Sequence, residues 1–396
     1  MTRPRLLLMG KRRGALLAAA HLDAEVILLD DSRRPARAAG AHAGARVDFS
    51  DPAGCVAAAR EVLAALPARD ARPPVDAVVA LVERAVLPAA AVREALGVPG
   101  PTVAEAEPWR DKVAMKARVR AAGIATAACR PLEPATSPAA LVAALGLPMV
   151  IKPRDASGSR GTVVARTPGE VRAALAPRSM VEAFVSGVEM SVESLVQGGE
   201  VRFENLTEYL IPKWANVAPA ELPERVARAV RRTNRAAIAA LGVRDGITHV
   251  EVFVRDEDPD AAPEVVFGEL AARPPGGFIM DLIAQAWGFD PWRELLEVSL
   301  GHTVDAPGAP VASAGVWFVH PGEGEVQEVA GLDEARAVPG VLSVEVHARP
   351  GDVVRARAGV GEHQGRILAR TPTREATVRA LSRARERVRF RIGAAA

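Results

Sequence analysis

The sequence predicts a multidomain protein of mixed α/β and α+β class, and three observations carry that expectation. A chain of 396 residues, 49% apolar and 25% charged, exceeds one ordinary domain and supplies apolar mass for several cores. Near the N-terminus, short apolar runs alternate with alanine-rich stretches, the pattern of a parallel sheet with right-handed crossovers. Farther on, β-branched runs come in pairs joined by glycine-rich or polar turns, as antiparallel hairpins do.

In chain order, Arg5 to Met9 reads as a buried strand, followed by the turn Gly10-Lys11-Arg12-Arg13-Gly14 and a helix. Glu25 to Asp30 and Val75 to Val82 read as further strands, and Glu83 stands at the end of the second of these. Pro99-Gly100-Pro101 then interrupts the pattern. From Trp109 a helix is expected through Asp111, Lys112, Met115 and Val119 to a stop at Gly123. Met149-Val150-Ile151-Lys152-Pro153 reads as a strand end opening into Ser157-Gly158-Ser159-Arg160-Gly161, with Val163 to Arg166 returning as its hairpin partner. A helix over Glu170 to Leu175 and a strand over Ser179 to Val185 follow, and after Gly187 the alternation through Glu189 and Glu193 suggests another strand. Val201 to Glu208 reads as a strand, Ile211 to Pro223 as a loop, and Arg225 to Leu241 as an amphipathic helix. Thr248 to Val254 and Glu264 to Leu270 form an expected hairpin through the turn Arg255 to Pro263. A helix is expected over Phe278 to Trp287 and a linker over Thr303 to Pro310. The rest, to Phe390, reads as short strands closing in a basic helix and strand.

Composition excludes several classes. The formal charge is only +2 and no basic tract is interleaved with aromatics, so a dedicated nucleic-acid surface is not indicated. Cys55 and Cys129 are far apart and form no metal or redox spacing, which suits a reducing compartment. The opening residues read as a first strand rather than a secretory segment, and no apolar stretch has the length of a membrane span. The expected location is cytoplasmic.

The chemistry-bearing residues fall in a meaningful order. The Gly10–Gly14 turn lacks both the P-loop and the G-x-G-x-x-G pattern, but it sits at the carboxyl end of a first strand. Its cationic side chains could hold a carboxylate or face solvent. Lys152 emerges beside a donor-rich glycine loop, which suits a polyphosphate or an ordinary exposed turn. Glu251 and Glu269 can project from neighbouring strands, and Arg273 follows the second. Mg²⁺ takes hard oxygen ligands, commonly one or two carboxylates together with nucleotide phosphates. Phosphoryl transfer needs the phosphates placed and their charge neutralised, which lysines and an arginine can do. His249 shares a strand face with Glu251, because side chains alternate. It could lie near substrate or be a hydrogen-bonded, half-buried histidine. Glu83 could contact substrate or form a salt bridge. Trp214 and Trp292 could line a pocket or fill the core.

Taken together, these motifs resemble the ATP-grasp superfamily over nearly the whole chain. Asp111-Lys112 with Met115 and Ala122-Gly123-Ile124 is similar to the family's first lysine helix, and Val150 to Pro153 with Ser157 to Gly161 to its second lysine and lid. Val181-Glu182-Ala183-Phe184-Val185 with Gly187 and Glu189 resembles the hinge, and Glu251, Glu269 and Arg273 the metal acids and following arginine. The resemblance implies an N-terminal Rossmann-like pre-ATP-grasp domain over 1–108, a lid subdomain over 109–196, a large subdomain over 197–305 and a small β-rich C-terminal domain over 306–396. It implies ATP bound by Lys112, Lys152, Ser157, Gly158, Ser159, Gly161, Glu182, Ala183, Phe184, Val185 and Glu189. In particular, Glu182 and the Ala183 and Val185 backbone would face adenine, and Glu189 the ribose. Glu251 and Glu269 would hold Mg²⁺, with Mn²⁺ as a substitute. Arg273, Glu269 and Lys152 would be catalytic; Glu83, His249, Gly276 and Gly277 would meet substrate. One departure is Ala271, where many members carry an asparagine that helps hold a second metal ion.

The glycines after Arg273 and the segment through Gly288-Phe289-Asp290 resemble the carboxylate–amine ligase branch. The C-terminal part resembles the end domain of biotin-carboxylase-like and dipeptide-ligase-like members. The implied activity is ADP-forming amide or peptide bond formation through an acyl phosphate, on small acids and amines such as amino acids, in a homodimer. Two alternatives stand beside it. One is a biotin-carboxylase-like or purine-pathway ligase working through carboxyphosphate or formyl phosphate. The other is a non-catalytic nucleotide-binding protein.

Overall fold

The computed structural model describes residues 3–393 except 33–39, 70–72, 134–135, 257, 259–260, 358 and 360. Three of the expected turn residues between the Glu251 and Glu269 strands, 257, 259 and 260, therefore lie outside the described residues.

Arg5–Met9 is buried along its whole length and takes a central place because both faces are covered. It pairs in parallel with Glu25–Asp30 on one side and Ala77–Ala80 on the other, while Ala43–Arg46 extends the sheet beyond Glu25–Asp30. The expected strand Val75 to Val82 is shorter, because a helical turn begins at Glu83.

The single helix expected from Trp109 is two: Val103–Arg110 and Lys112–Ala121. Asp111 breaks it, leaving the helical region at φ −90°, ψ 105° and accepting hydrogen bonds from Val113 N and Ala114 N as the cap of the second helix. Lys112 thereby becomes the first residue of a helix.

A small sheet follows in the order Cys129–Pro131, Ser179–Ala183, Met149–Pro153, Val163–Ala165. Its last two strands are the expected hairpin across the glycine loop.

The large sheet has eight strands. Glu264–Ala271 forms one edge, followed by Gly246–Arg255, Val188–Gln197, Glu200–Ile211 and Ala215–Ala218. Ser313–Val319, Gly365–Thr371 and Val341–Val346 complete it. Val188–Gln197 pairs with Gly246–Arg255, not with the small sheet, so a lid unit running to residue 196 would cut a strand away from its partners. Ile211 to Pro223, expected as a loop, contains the strand Ala215–Ala218, which joins the C-terminal strands to the sheet. Beyond Trp287 lies a further helix, Pro291–Ser299, capped by Asp290.

The amphipathic helix Glu224–Leu241 buries Val226, Val230, Ile238 and Leu241 against Val192, Val250 and Val252 of the large sheet. Burial of each such side chain contributes about 1.5–3 kcal/mol, which holds the carboxylate-bearing strands flat against a rigid support. Among the described residues no helix is long and apolar enough to cross a membrane.

Candidate active site

Strand register brings the acids together. Glu251 is directly opposite Glu269, and Ser191 lies opposite Glu251 on its other side. Glu189, two residues from Ser191, therefore points to the same face. These three carboxylates line one chamber with Tyr209, His249 and Arg273. Burial, then the charges of Glu251 and Glu269, push the Glu189 carboxyl up to about 7. That is an excess of negative charge a divalent cation would neutralise. The donor set fits Mg²⁺ in the manner expected, two protein carboxylates with the remaining positions left to phosphate and water. No cluster of three or more His, Cys, Asp or Glu arranged as a self-sufficient metal cage occurs among the described residues. Ala271 is buried opposite His249 and offers no ligand.

His249 is buried. Its Nδ1 lies 2.9 Å from Glu193 Oε1 and its Nε2 3.5 Å from Glu251 Oε1. Burial opposes its charge, but hydrogen bonds to both glutamates raise it to about 9, so it is an imidazolium bridge at neutral pH. His249 is hydrogen-bonded, as one of its two readings had it, but it is more buried than the half-buried residue expected, and its ring lines the chamber. Glu193 was not singled out by sequence. It is fully buried and accepts from Ser191 Oγ at 2.7 Å, Asn205 Nδ2 at 2.9 Å and Thr207 Oγ1 at 2.6 Å. The alternation Glu189, Ser191, Glu193 opposite Met190 and Val192 was the available signal.

The lysines reach the site from two elements. Lys112 Nζ donates to Ala156 O at 2.5 Å and lies 3.5 Å from Glu269 Oε2, so it links the glycine hairpin to the carboxylate chamber. Lys152 and Glu182 sit on adjacent strands of the small sheet, with Lys152 Nζ 2.6 Å from Glu182 Oε1. The other oxygen, Oε2, lies 2.8 Å from Nζ of Lys116, a buried lysine on the capped helix that sequence reasoning passed over. Burial works against the charge of Glu182, yet the two lysines hold its carboxyl below the usual range. Phe184 is partly exposed beyond it, on the segment leading to Gly187.

Glu83 forms a largely buried ion-pair network rather than a surface salt bridge, at the wall of a cavity. Its Oε2 accepts from Arg273 Nε at 2.7 Å, and its Oε1 pairs with Arg110. Burial would raise it, but Arg273 and Arg110 hold it below the usual carboxylate range. Arg273 is thus fixed at the chamber's edge by Glu83 and by its own Nη1 contact to Pro274 O at 2.8 Å. Arg154 pairs with Asp111 rather than lying free.

Gly158 and Ser159 line the carboxylate chamber, while Ser157, Gly158 and Arg160 line a second one alongside. Gly276 and Gly277 line both. At Gly277, φ is +62° and a Cβ would lie 2.9 Å from Asn216 Nδ2, so a side chain there would be strained and would displace the Asn216 amide.

Comparisons with known proteins agree with this geometry. Residues 117–277 match the model of the ATP-grasp domain, and residues 316–393 that of the L-amino acid ligase C-terminal domain 2. The chain is 23% identical over 300 residues to the L-arginine-specific L-amino acid ligase of Bacillus subtilis, covering 71% of each chain. It is 28% identical over 284 residues to a formate-dependent phosphoribosylglycinamide formyltransferase of Vibrio cholerae, covering 65% of this chain and 66% of the other. Its fold matches the crystal structure of an L-amino acid ligase from Bacillus licheniformis with a TM-score of 0.82 at 20% identity, covering 99% and 100% of the two chains. The chain therefore carries an ATP-grasp domain over residues 117–277 and a match to the L-amino acid ligase C-terminal domain 2 over 316–393, and it is similar to ATP-grasp ligases.

Proposed function

We propose that this ATP-grasp ligase joins a carboxylate to an amine, most specifically two amino acids, with ADP and phosphate as products. The observation that carries the reading is the convergence of Glu251, Glu269, Lys112 and Arg273 around the glycine hairpin. Lys112 and Lys152 would hold the nucleotide phosphates, and the backbone and glycines of 157–161 would cover them. Glu182 with the 183–185 backbone would meet adenine, and Glu189 the ribose hydroxyls. Glu251 and Glu269 would hold Mg²⁺ or Mn²⁺, which supplies charge neutralisation on the phosphates. A substrate carboxylate oxygen attacks the γ-phosphorus and ADP leaves, giving an acyl phosphate. The amine then attacks the acyl carbon, phosphate departs and the amine proton is lost. Arg273, held by Glu83, would stabilise the charge that builds on the acyl phosphate. Exclusion of water by the hairpin would protect that intermediate.

The structural units under this reading are 1–108, a lid unit that ends before the strand Val188–Gln197, and a large unit whose sheet continues into the C-terminal part. A cytoplasmic location is supported by the unpaired Cys55 and Cys129, and thiol trapping in intact cells would test it. Homodimerisation is proposed by analogy with similar proteins, and light scattering on the purified chain would decide it.

Glu269→Gln is expected to lower substrate-dependent ADP release about a hundredfold or more while leaving the far-UV spectrum unchanged. Normal turnover by that variant would overturn the metal assignment. The 28% identity to the formyltransferase favours one second reading, through formyl phosphate. ADP release that needs formate or bicarbonate and no amino acid would select it.

A further inference from the structure

A cavity of about 570 Å³ adjoins the carboxylate chamber, sharing Gly158, Arg273, Gly276 and Gly277 with it. It is lined by Arg12, Arg13, Arg84, Arg160, Arg273 and Arg366, against only Glu83 and Asp281. Glu83 is already committed to Arg110 and Arg273. Arg84 has an external partner in Asp31, and Arg366 has one in Glu345. Arg13 and Arg160 have no hydrogen-bond or ion-pair partner among the described residues. Arg12 makes a single contact, from Nε to Leu81 O at 3.3 Å. At the cavity wall Arg366 Nε and His363 Nδ1 are buried without a hydrogen-bond partner.

Guanidinium groups gathered around one space repel one another, and an anion offsets that repulsion; Arg12 and Arg273 are partly buried as well, while Arg13, Arg84 and Arg160 stand exposed at the rim. Burial first, and then the charge of Arg273, lower the pKa of Arg12, with Asp281 opposing the shift. The reacting carboxylate and the α-carboxylate of an amine-bearing amino acid account for two of these cations and leave others over. Resting on the ligase reading above, we propose that this cavity receives a substrate whose side chain bears an anionic group beyond those two carboxylates. The shared chemistry is a second carboxylate or a phosphate on an amino-acid-sized molecule. Guanidinium forks on three sides would bind it by charge-assisted hydrogen bonds.

Isothermal titration of the full-length protein with isosteric pairs tests this directly. L-glutamate is compared with L-glutamine, and O-phospho-L-serine with L-serine. At least one anion is expected to bind about tenfold or more tightly than its neutral partner, the ratio one charge-assisted contact supplies. The member that shows the gap distinguishes carboxylate from phosphate. In the double variant Arg12→Gln/Arg13→Gln, on the first turn and outside the hairpin over the nucleotide, the gap should shrink about tenfold while ATP affinity is kept. Equal binding within both pairs, no binding of either anion, or a gap untouched by the double variant would overturn the proposal. An ADP-release assay on the same substrates keeps the two readings apart. Anion binding without ADP release on any acid–amine mixture removes the ligase reading alone. Ligation of neutral pairs with no anion preference removes the anionic substrate alone.

Discussion

Glu182 holds two lysines at once, and the consequence belongs to single residues. Lys116 on one oxygen and Lys152 on the other fix the carboxylate in one orientation. Lys116→Met keeps the volume but leaves Lys152 alone to hold the group. We expect the KM for ATP to rise roughly tenfold with kcat nearly unchanged, because ground-state and transition-state binding are lost equally. A kcat loss without a KM change would show that Lys116 does not act through nucleotide binding. Lys152, Glu182 and Glu269 were named as candidates from sequence because they fall in motifs that resemble the family's. Lys116 was not, because a lysine four positions along a helix from Lys112 looks like a solvated charge until a neighbouring sheet covers it. For Glu83 the sequence left substrate contact and a surface salt bridge open; packing brings Arg110 and Arg273 onto it and buries that ion pair.

At the level of elements, the glycine hairpin stands out because its conformation depends on residues without side chains. Gly158 and Gly161 adopt φ of +68° and +70°, and a Cβ at Gly161 would meet Pro153 Cγ at 3.1 Å. Gly161→Ala should strain the closing segment by about 1 kcal/mol or more. The expected outcome is a rising ratio of ADP released to amide formed, as water reaches the acyl phosphate. An unchanged ratio would sever the hairpin from that protection. The hairpin itself was legible, since glycines between two β-branched runs leave few options. The break at Asp111 was less so. Asp-Lys within a helical pattern reads as helix interior, and the cap becomes evident only when Asp111 turns its side chain onto Val113 N and Ala114 N and pairs with Arg154.

For the whole molecule, the large sheet carries strands from residue 188 to residue 371. Ser313–Val319 covers the edge of Ala215–Ala218, and the helix Arg374–Arg387 packs Leu381 and Ala384 into the core beside Val217. A chain ending at residue 305 would expose that edge, and unpaired edges associate. We expect the truncated chain to aggregate on expression, and a monodisperse, ATP-binding product would contradict the shared sheet. The acid side of stability has a named contributor in His363. Burial and the charges of Arg357 and Arg366 push it down to about 4 from an ordinary 6.5. A base depressed on folding takes up its proton more readily when unfolded, so its contribution is present above pH 6.5 and lost as pH falls toward 4. His363→Gln should flatten the decline in denaturation midpoint between pH 6.5 and 4, measured in urea. An identical decline would assign acid sensitivity elsewhere.

By itself, the order of residues carried the resemblance to the ATP-grasp superfamily and an expected set of site residues. Two lysines, a glycine hairpin, two strand glutamates and a following arginine stand in the order that resemblance requires, and their charges suit phosphates and a divalent cation. Tertiary structure decided what faces what. It placed Val188–Gln197 in the large sheet, joined the C-terminal strands to it through Ala215–Ala218, and buried Glu193 beneath His249. It also collected arginines from the first turn, the lid and the C-terminal part around one cavity. The physical reason is range: side-chain alternation and turn chemistry act over a few residues, whereas pairing partners and unneutralised charge depend on contacts between segments hundreds of residues apart.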